Sequence, residues 1–240
     1  MDNKVLIIIP AYNEQECIEK VWDGINEYMA STGERYDVIV INDGSKDATE
    51  EILACRGIPH IRLIQNLGIG GAVQTGYRYA MMKGYDAAVQ FDGDGQHEIS
   101  CVKALVSPVL SGEADMVIGS RFVSPDPDNF RSTFARRVGI RILSFFIKIL
   151  TGNTIKDPTS GFRACGRTVI ASFAESYPTE YPEPVSEVAV LEKGLKVSEV
   201  PAVMHERQGG VSSIKAWKSA YYMINVTIAM CMERMKRGKR

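Results

Sequence analysis

The segment Phe91-Asp92-Gly93-Asp94-Gly95-Gln96-His97 sets two carboxylates one residue apart, directly after an apolar run. Two such acids can share a hard divalent cation, Mg²⁺ or Mn²⁺, and that cation would neutralise a diphosphate and ease its departure. In a parallel sheet, ligands bind outside the carboxyl ends of the strands, where this segment falls. Alone, D-x-D is common, and a loop of solvated aspartates accounts for it equally well. Three further segments favour the metal reading. Pro10-Ala11-Tyr12-Asn13-Glu14, Asn42-Asp43-Gly44-Ser45 and Ser120-Arg121-Phe122 also close apolar runs. Together they bring an aromatic ring, several acids and an arginine to one edge. Tyr12 could pack on a nucleobase, and Asp43 could accept one of its N–H groups. By itself Asn42–Ser45 also reads as a simple turn and helix cap.

These segments need a scaffold, and the first 120 residues supply one. Runs at 5–9, 38–41, 61–64, 87–91 and 116–118 are rich in Ile and Val and bounded by Gly, Asp or Pro, as buried strands are. Amphipathic segments at 14–29, 47–55, 71–82 and 101–110 read as the helices between them. Asp47 with Glu50 three residues on reads as a capping box. The alternation predicts an α/β fold with a mainly parallel sheet covered on both faces. Beyond Arg121 come a polar loop at 124–129, a basic helix at 134–150, a turn-rich loop at 157–163, a strand at 197–203 and a terminal helix at 215–235. We read one domain over 1–240, with 1–122 binding a nucleotide and 123–240 forming the acceptor side. Gly68-Ile69-Gly70-Gly71 fails as a dinucleotide fingerprint because position 73 is valine, so these glycines are expected to allow close helix–sheet packing.

The order PAYNE, NDGS, DGDGQH, GSRF and DPTSGFRA resembles the family 2 glycosyltransferases, most of all the branch of dolichol-phosphate mannose synthases and bacterial polyprenyl-phosphate glycosyltransferases. The resemblance runs from residue 5 to about 214. It implies a GT-A fold, Mg²⁺ or Mn²⁺, and inverting transfer from a UDP- or GDP-sugar. The acceptor it implies is a polyprenyl phosphate or lipid-linked saccharide of cell-envelope glycan synthesis. By resemblance, Pro10, Ala11, Tyr12, Glu14 and Asp43 would hold the nucleoside. Asp92, Gly93, Asp94 and Gln96 would surround the diphosphate, with Asp92, Asp94 and Gln96 on the metal. Arg121, with Arg136 or Arg137, would meet phosphates. The pattern departs from the family at Ile99, Val185 and Ser213, on the acceptor side more than the donor side.

The acceptor decides the remaining chemistry. A sugar hydroxyl needs a general base, for which Asp157 and Glu183 are the loop acids. A lipid phosphate is already anionic and asks instead for positive charge. His97 is either a support for the acidic loop or a plain loop histidine, and Arg163 and Arg207 either bind phosphate or form salt bridges. Two competing readings are a nucleotide-sugar-binding protein without turnover and a nucleotidyltransferase. The latter usually carries a Gly-rich, basic loop after its first strand, which PAYNE is not.

Composition excludes other classes. With 45% apolar and 24% charged residues, 240 residues can bury a core without disulfides. A net charge of -1 makes no global case for nucleic acid. Five cysteines, none in a C-x-x-C pair, suit a reducing compartment. No signal peptide is expected, and the uncharged stretch 219–232 falls short of the roughly 18 residues of a bilayer span. The expected location is cytoplasmic, at the inner membrane face. There the 134–150 helix, with Arg136, Arg137, Arg141 and Lys148, would dock beside a tail of Arg234, Lys236, Arg237, Lys239 and Arg240. Both helices could instead pack on the domain or on a second copy, which leaves a homo-oligomer open.

Overall fold

The computed structural model describes residues 3–123, 134–204 and 216–237, with backbone alone at 134–136, 216–222 and 237. The loop at 124–129, Arg207, Ser213, Lys239, Arg240 and the side chain of Arg136 lie outside the described residues.

Seven strands make one sheet in the order β3-β2-β1-β4-β6-β5-β7. β1 (Val5–Ala11), β2 (Asp37–Asn42), β3 (His60–Arg62) and β4 (Ala87–Gln90) are parallel, as are β5 (Met116–Ser120) and β7 (Val197–Pro201). β6 (Arg163–Gly166) runs antiparallel between β4 and β5. The expectation of a mainly parallel sheet therefore holds, with one reversed strand that starts at the last residue of the turn-rich loop read at 157–163. All seven residues of β1 are buried. Burying an Ile or Leu contributes about 1.5–3 kcal/mol, so Leu6–Ile9 set β1 as a central strand.

Helices cover both faces. Side chains of α1 (Ile18–Thr32), α2 (Thr49–Cys55) and α4 (Val102–Leu110) bury against Ile7, Ile9, Val40 and Val117. On the other face lie α3 (Gly68–Lys83), α5 (Phe134–Thr151), α6 (Arg167–Glu175), α7 (Pro182–Leu191) and α8 (Ala216–Arg237), packed over Leu6, Ile8, Ala88 and Ile118. α7 begins with Pro182 in its first turn, after Tyr181 at φ 52°. Proline suits that position because its missing N–H would be unpaired there in any case.

Three local expectations change. Glu50 does not close a capping box, because it accepts from Asn42 Nδ2 at 2.5 Å and pairs with His60 at 3.4 Å. Ile64 is fully exposed beyond β3. The glycines of 68–71 do not all serve helix–sheet packing: a Cβ on Gly70 would lie 2.3 Å from the carbonyl oxygen of Pro178. The close approach of α3 to the sheet is at Gly76, where a Cβ would strike Ile8 at 2.3 Å.

Candidate active site

After β1 the chain moves outward to β2 and β3, then returns as β4 on the other side of β1. This switch point leaves a crevice at the carboxyl ends of β1 and β4. Tyr12 turns out of β1 with 40% exposure, and Asn13 takes φ 58°. The turn is pinned to the segment after β2. Asn13 N–H donates to Ser45 Oγ at 3.0 Å, Glu14 N–H to Thr49 Oγ1 at 3.0 Å, and Lys46 N–H to Asn13 Oδ1 at 2.8 Å. PAYNE and NDGS are thus one hydrogen-bonded unit. A cavity of about 420 Å³ opens there between Asn13–Cys17 and Lys46–Asp47. Asp43 is buried, and its Oδ1 accepts Leu67 N–H at 2.7 Å. Burial pushes its carboxyl up, against the opposing N–H groups of Leu67 and Gly68.

The acidic loop crosses the end of β1: a Cβ on Gly93 would lie 3.2 Å from the carbonyl oxygen of Pro10. Asp92 Oδ2 meets His97 Nε2 at 3.0 Å, and the Asp92 side chain remains 32% exposed. His97 is stacked on Phe162, with centroids 4.6 Å apart and 17° between planes, and meets the edge of Phe91. The imidazole is thus held between these rings with its Nε2 against Asp92. Burial opposes ionisation of Asp92, but His97, Gln90 and Arg163 outweigh it and hold the carboxyl below its ordinary range. Asp94 Oδ1 accepts Gln96 N–H at 3.1 Å.

Among the described residues, no group of three or more His, Cys, Asp or Glu side chains gathers about one point. Two carboxylates alone do not make a closed structural metal site. They do fit a hard cation that fills its remaining positions with phosphate oxygens and water.

Arg121 and Asp157 form one unit. Asp157 Oδ2 accepts from Arg121 Nε at 2.7 Å and N at 3.1 Å, and Oδ1 accepts from Nη2 at 2.6 Å. The two side chains are 4% and 0% exposed. Asp157 is itself held by Glu199, which accepts its N–H at 2.9 Å. This geometry commits both carboxylate oxygens to orienting Arg121. Glu183 sits half-buried in the first turn of α7, where burial pushes its carboxyl up despite Arg163. Arg163 is fully buried and lies 3.8 Å from Glu187, so the salt-bridge reading applies to it. Arg137 is exposed on α5.

Sequence reasoning passed over Gln90, Gly161, Ser186 and Glu187. Gly161 faces Asp92: a Cβ there would lie 2.9 Å from Gln90 Nε2 and 3.3 Å from Asp92 Oδ2. Its place inside DPTSGFRA was the available signal. Ser186 and Glu187 offered none.

Comparison with known proteins agrees with this architecture. The family model described as glycosyl transferase family 2 matches residues 6–173. A UDP-N-acetylglucosamine–dolichyl-phosphate N-acetylglucosaminyltransferase from Methanococcus voltae is 31% identical over 221 residues, covering 83% of this chain and 85% of the relative. An undecaprenyl-phosphate mannosyltransferase from Micrococcus luteus is 28% identical over 233 residues, 93% of each chain. The structure of glucosyl-3-phosphoglycerate synthase from Mycobacterium tuberculosis, in complex with Mn²⁺ and UDP-glucose, superposes with a TM-score of 0.71 at 21% identity. That match covers 97% of this chain and 79% of the other. The fold is GT-A.

Proposed function

Because the chain belongs to glycosyl transferase family 2, we propose that it moves a sugar from a UDP- or GDP-sugar to polyprenyl phosphate, with inversion and with a divalent metal, at a membrane face. The chain is a glycosyltransferase; the donor, acceptor and metal are the substance of the proposal.

The acceptor reading is carried by an exposed apolar face. On α5, Val138, Ile142, Phe145 and Ile149 are 38–60% exposed, and on α8, Ile224, Ile228, Met232 and Met235 are 51–63% exposed. Steps of three and four residues put each set on one side of its helix. The helices pack together, with a Cβ on Gly139 reaching Met223 Sδ at 3.5 Å. They hold eight of the chain's 28 Lys and Arg but one of its 29 Asp and Glu. A second copy would bring the same positive charge, whereas an anionic bilayer complements it. No helix among the described residues is long and apolar enough to cross a membrane. The names of the Methanococcus and Micrococcus relatives specify dolichyl and undecaprenyl phosphate.

In this reading Tyr12 packs on the nucleobase, with Pro10, Ala11, Glu14 and Asp43 shaping the pocket. Asp92, Asp94 and Gln96 would hold Mg²⁺ or Mn²⁺, with Gly93 letting the loop approach the diphosphate. The metal, when bound, neutralises the leaving diphosphate. An acceptor phosphate oxygen attacks the anomeric carbon. The bond from that carbon to the diphosphate oxygen breaks, and its electron pair leaves with the nucleoside diphosphate. Arg121, fixed by Asp157, meets phosphate charge, as do Arg136 or Arg137. The acceptor is anionic, so base demand is low and Glu183 is left to orient it.

The test is a screen of radiolabelled UDP- and GDP-sugars with Mn²⁺ and a membrane lipid extract. Label entering the organic phase supports the proposal. Label found only on water-soluble saccharides would overturn it.

A further inference from the structure

We infer that Arg163 is a positioning residue: its buried guanidinium ties the loop that walls Asp92 to the turn that carries Glu183. The inference rests on the reading above, in which those two acids face the donor diphosphate and the acceptor.

Arg163 opens β6 beside Gln90 of β4 and Ile118 of β5. It has no solvent exposure. Nη2 donates to the carbonyl oxygen of Ser160 at 2.6 Å, and Nη1 donates to Ser186 Oγ at 2.7 Å. Each contact leads to one wall of the cleft. Ser160 also donates its hydroxyl to the Gly119 carbonyl at 2.6 Å, which fixes the loop at the end of β5. The next residue, Gly161, lies against Gln90 and Asp92 so closely that a Cβ there would sit 2.9 Å from the Gln90 amide nitrogen and oblige it to shift. On the other side, Ser186 passes the link on by donating to the Glu183 carbonyl oxygen at 2.9 Å.

The arrangement is costly as a stability device. Among the described residues, Arg163 Nε and both oxygens of Glu187 are buried without a hydrogen-bond partner, and Glu187 approaches only to 3.8 Å. A buried ion pair adds stability only with good geometry and all partners satisfied. What this guanidinium does satisfy are the two contacts that set the walls. A planar fork can bridge two acceptors in fixed directions, which an ammonium cannot.

The test uses the full chain, with Ser186→Ala as the mild variant and Arg163→Lys as the charge-conserving one. Initial rates are measured per folded molecule, after folded protein is quantified by circular dichroism. Nucleoside diphosphate affinity with Mn²⁺ is measured by calorimetry. Misplacement near 1 Å can cost about 100-fold in rate. We expect kcat to fall roughly 10-fold or more in Ser186→Ala and further in Arg163→Lys, with donor KM and nucleotide affinity of Ser186→Ala within about two-fold of wild type. Wild-type kcat in folded Ser186→Ala overturns the inference, since the link to Glu183 would then be structural only. A parallel loss of nucleotide affinity in that variant also overturns it, because the defect would lie in the donor pocket. Wild type without turnover on any nucleotide sugar overturns the parent reading instead.

Discussion

Replacing Asp157 by Ala separates two roles that its position in the sequence leaves open. A loop acid near a transfer site could take a proton from the acceptor. Here its two oxygens take three N–H groups of Arg121 at 2.6–3.1 Å, and neither side chain is more than 4% exposed. Removing one partner of such a pair strands a buried charge and costs about 3–5 kcal/mol. For a chain of this size each kcal/mol lowers Tm by roughly 2–4 °C, so the expected drop is on the order of 6–20 °C. Asp157→Leu with Arg121→Met should recover much of that loss, because no charge is left unpaired. Thermal melts of wild type, Asp157→Leu, Arg121→Met and the double variant give the coupling, and rates of Asp157→Ala per folded molecule give the chemistry. If Asp157→Ala melts with wild type yet has no turnover, the acid acts on substrate and the clamp argument is wrong.

Asp94→Asn should abolish transfer while leaving the melt unchanged, and chelator should do the same to wild type; full activity in either case removes the metal from the account. Asp43→Ala should raise donor KM and weaken nucleotide binding by about 1–3 kcal/mol, part of it through the freed Leu67 N–H; unchanged affinity by calorimetry would make Asp43 a turn residue only. Burial holds the Glu187 carboxyl well above its ordinary value, against Arg163, with Asp157, Glu199 and Glu183 adding to the rise. A raised folded pKa means stability that is complete below the unfolded value near 4.3 and lost as pH climbs toward the folded one. Glu187→Gln should thus melt higher than wild type at pH 7, with the gap closing below about pH 4.3; a gap independent of pH would contradict this. Phe145→Glu with Ile228→Glu should reduce sedimentation with anionic vesicles at low salt without changing the melt; equal sedimentation of variant and wild type would count against docking through α5 and α8.

The donor edge was legible because strand ends are local. An apolar run that stops at Pro10, Asn42 or Phe91 places the next residues at the carboxyl edge whatever the rest of the chain does. The acceptor side was less so. β6 has four residues, of which only Arg163 falls in the turn-rich loop read at 157–163, and it gains its identity only by fitting between β4 and β5, a long-range pairing with no periodic trace. The Arg121–Asp157 clamp joins residues 36 apart. Each was visible as a candidate, but their pairing was not. His97 could be placed beside the acidic loop from sequence, while its stacking on Phe162 depends on β6.

The most direct measurement follows the phosphorus of the acceptor. Wild type is incubated with Mn²⁺, a nucleotide sugar that the screen has identified and a defined polyprenyl phosphate in anionic vesicles, and the lipid is read by ³¹P NMR. The account predicts that the phosphate monoester signal is replaced by a diester as nucleoside diphosphate accumulates, with no change when Asp94→Asn replaces wild type. Nucleoside diphosphate released while the lipid monoester persists would contradict it.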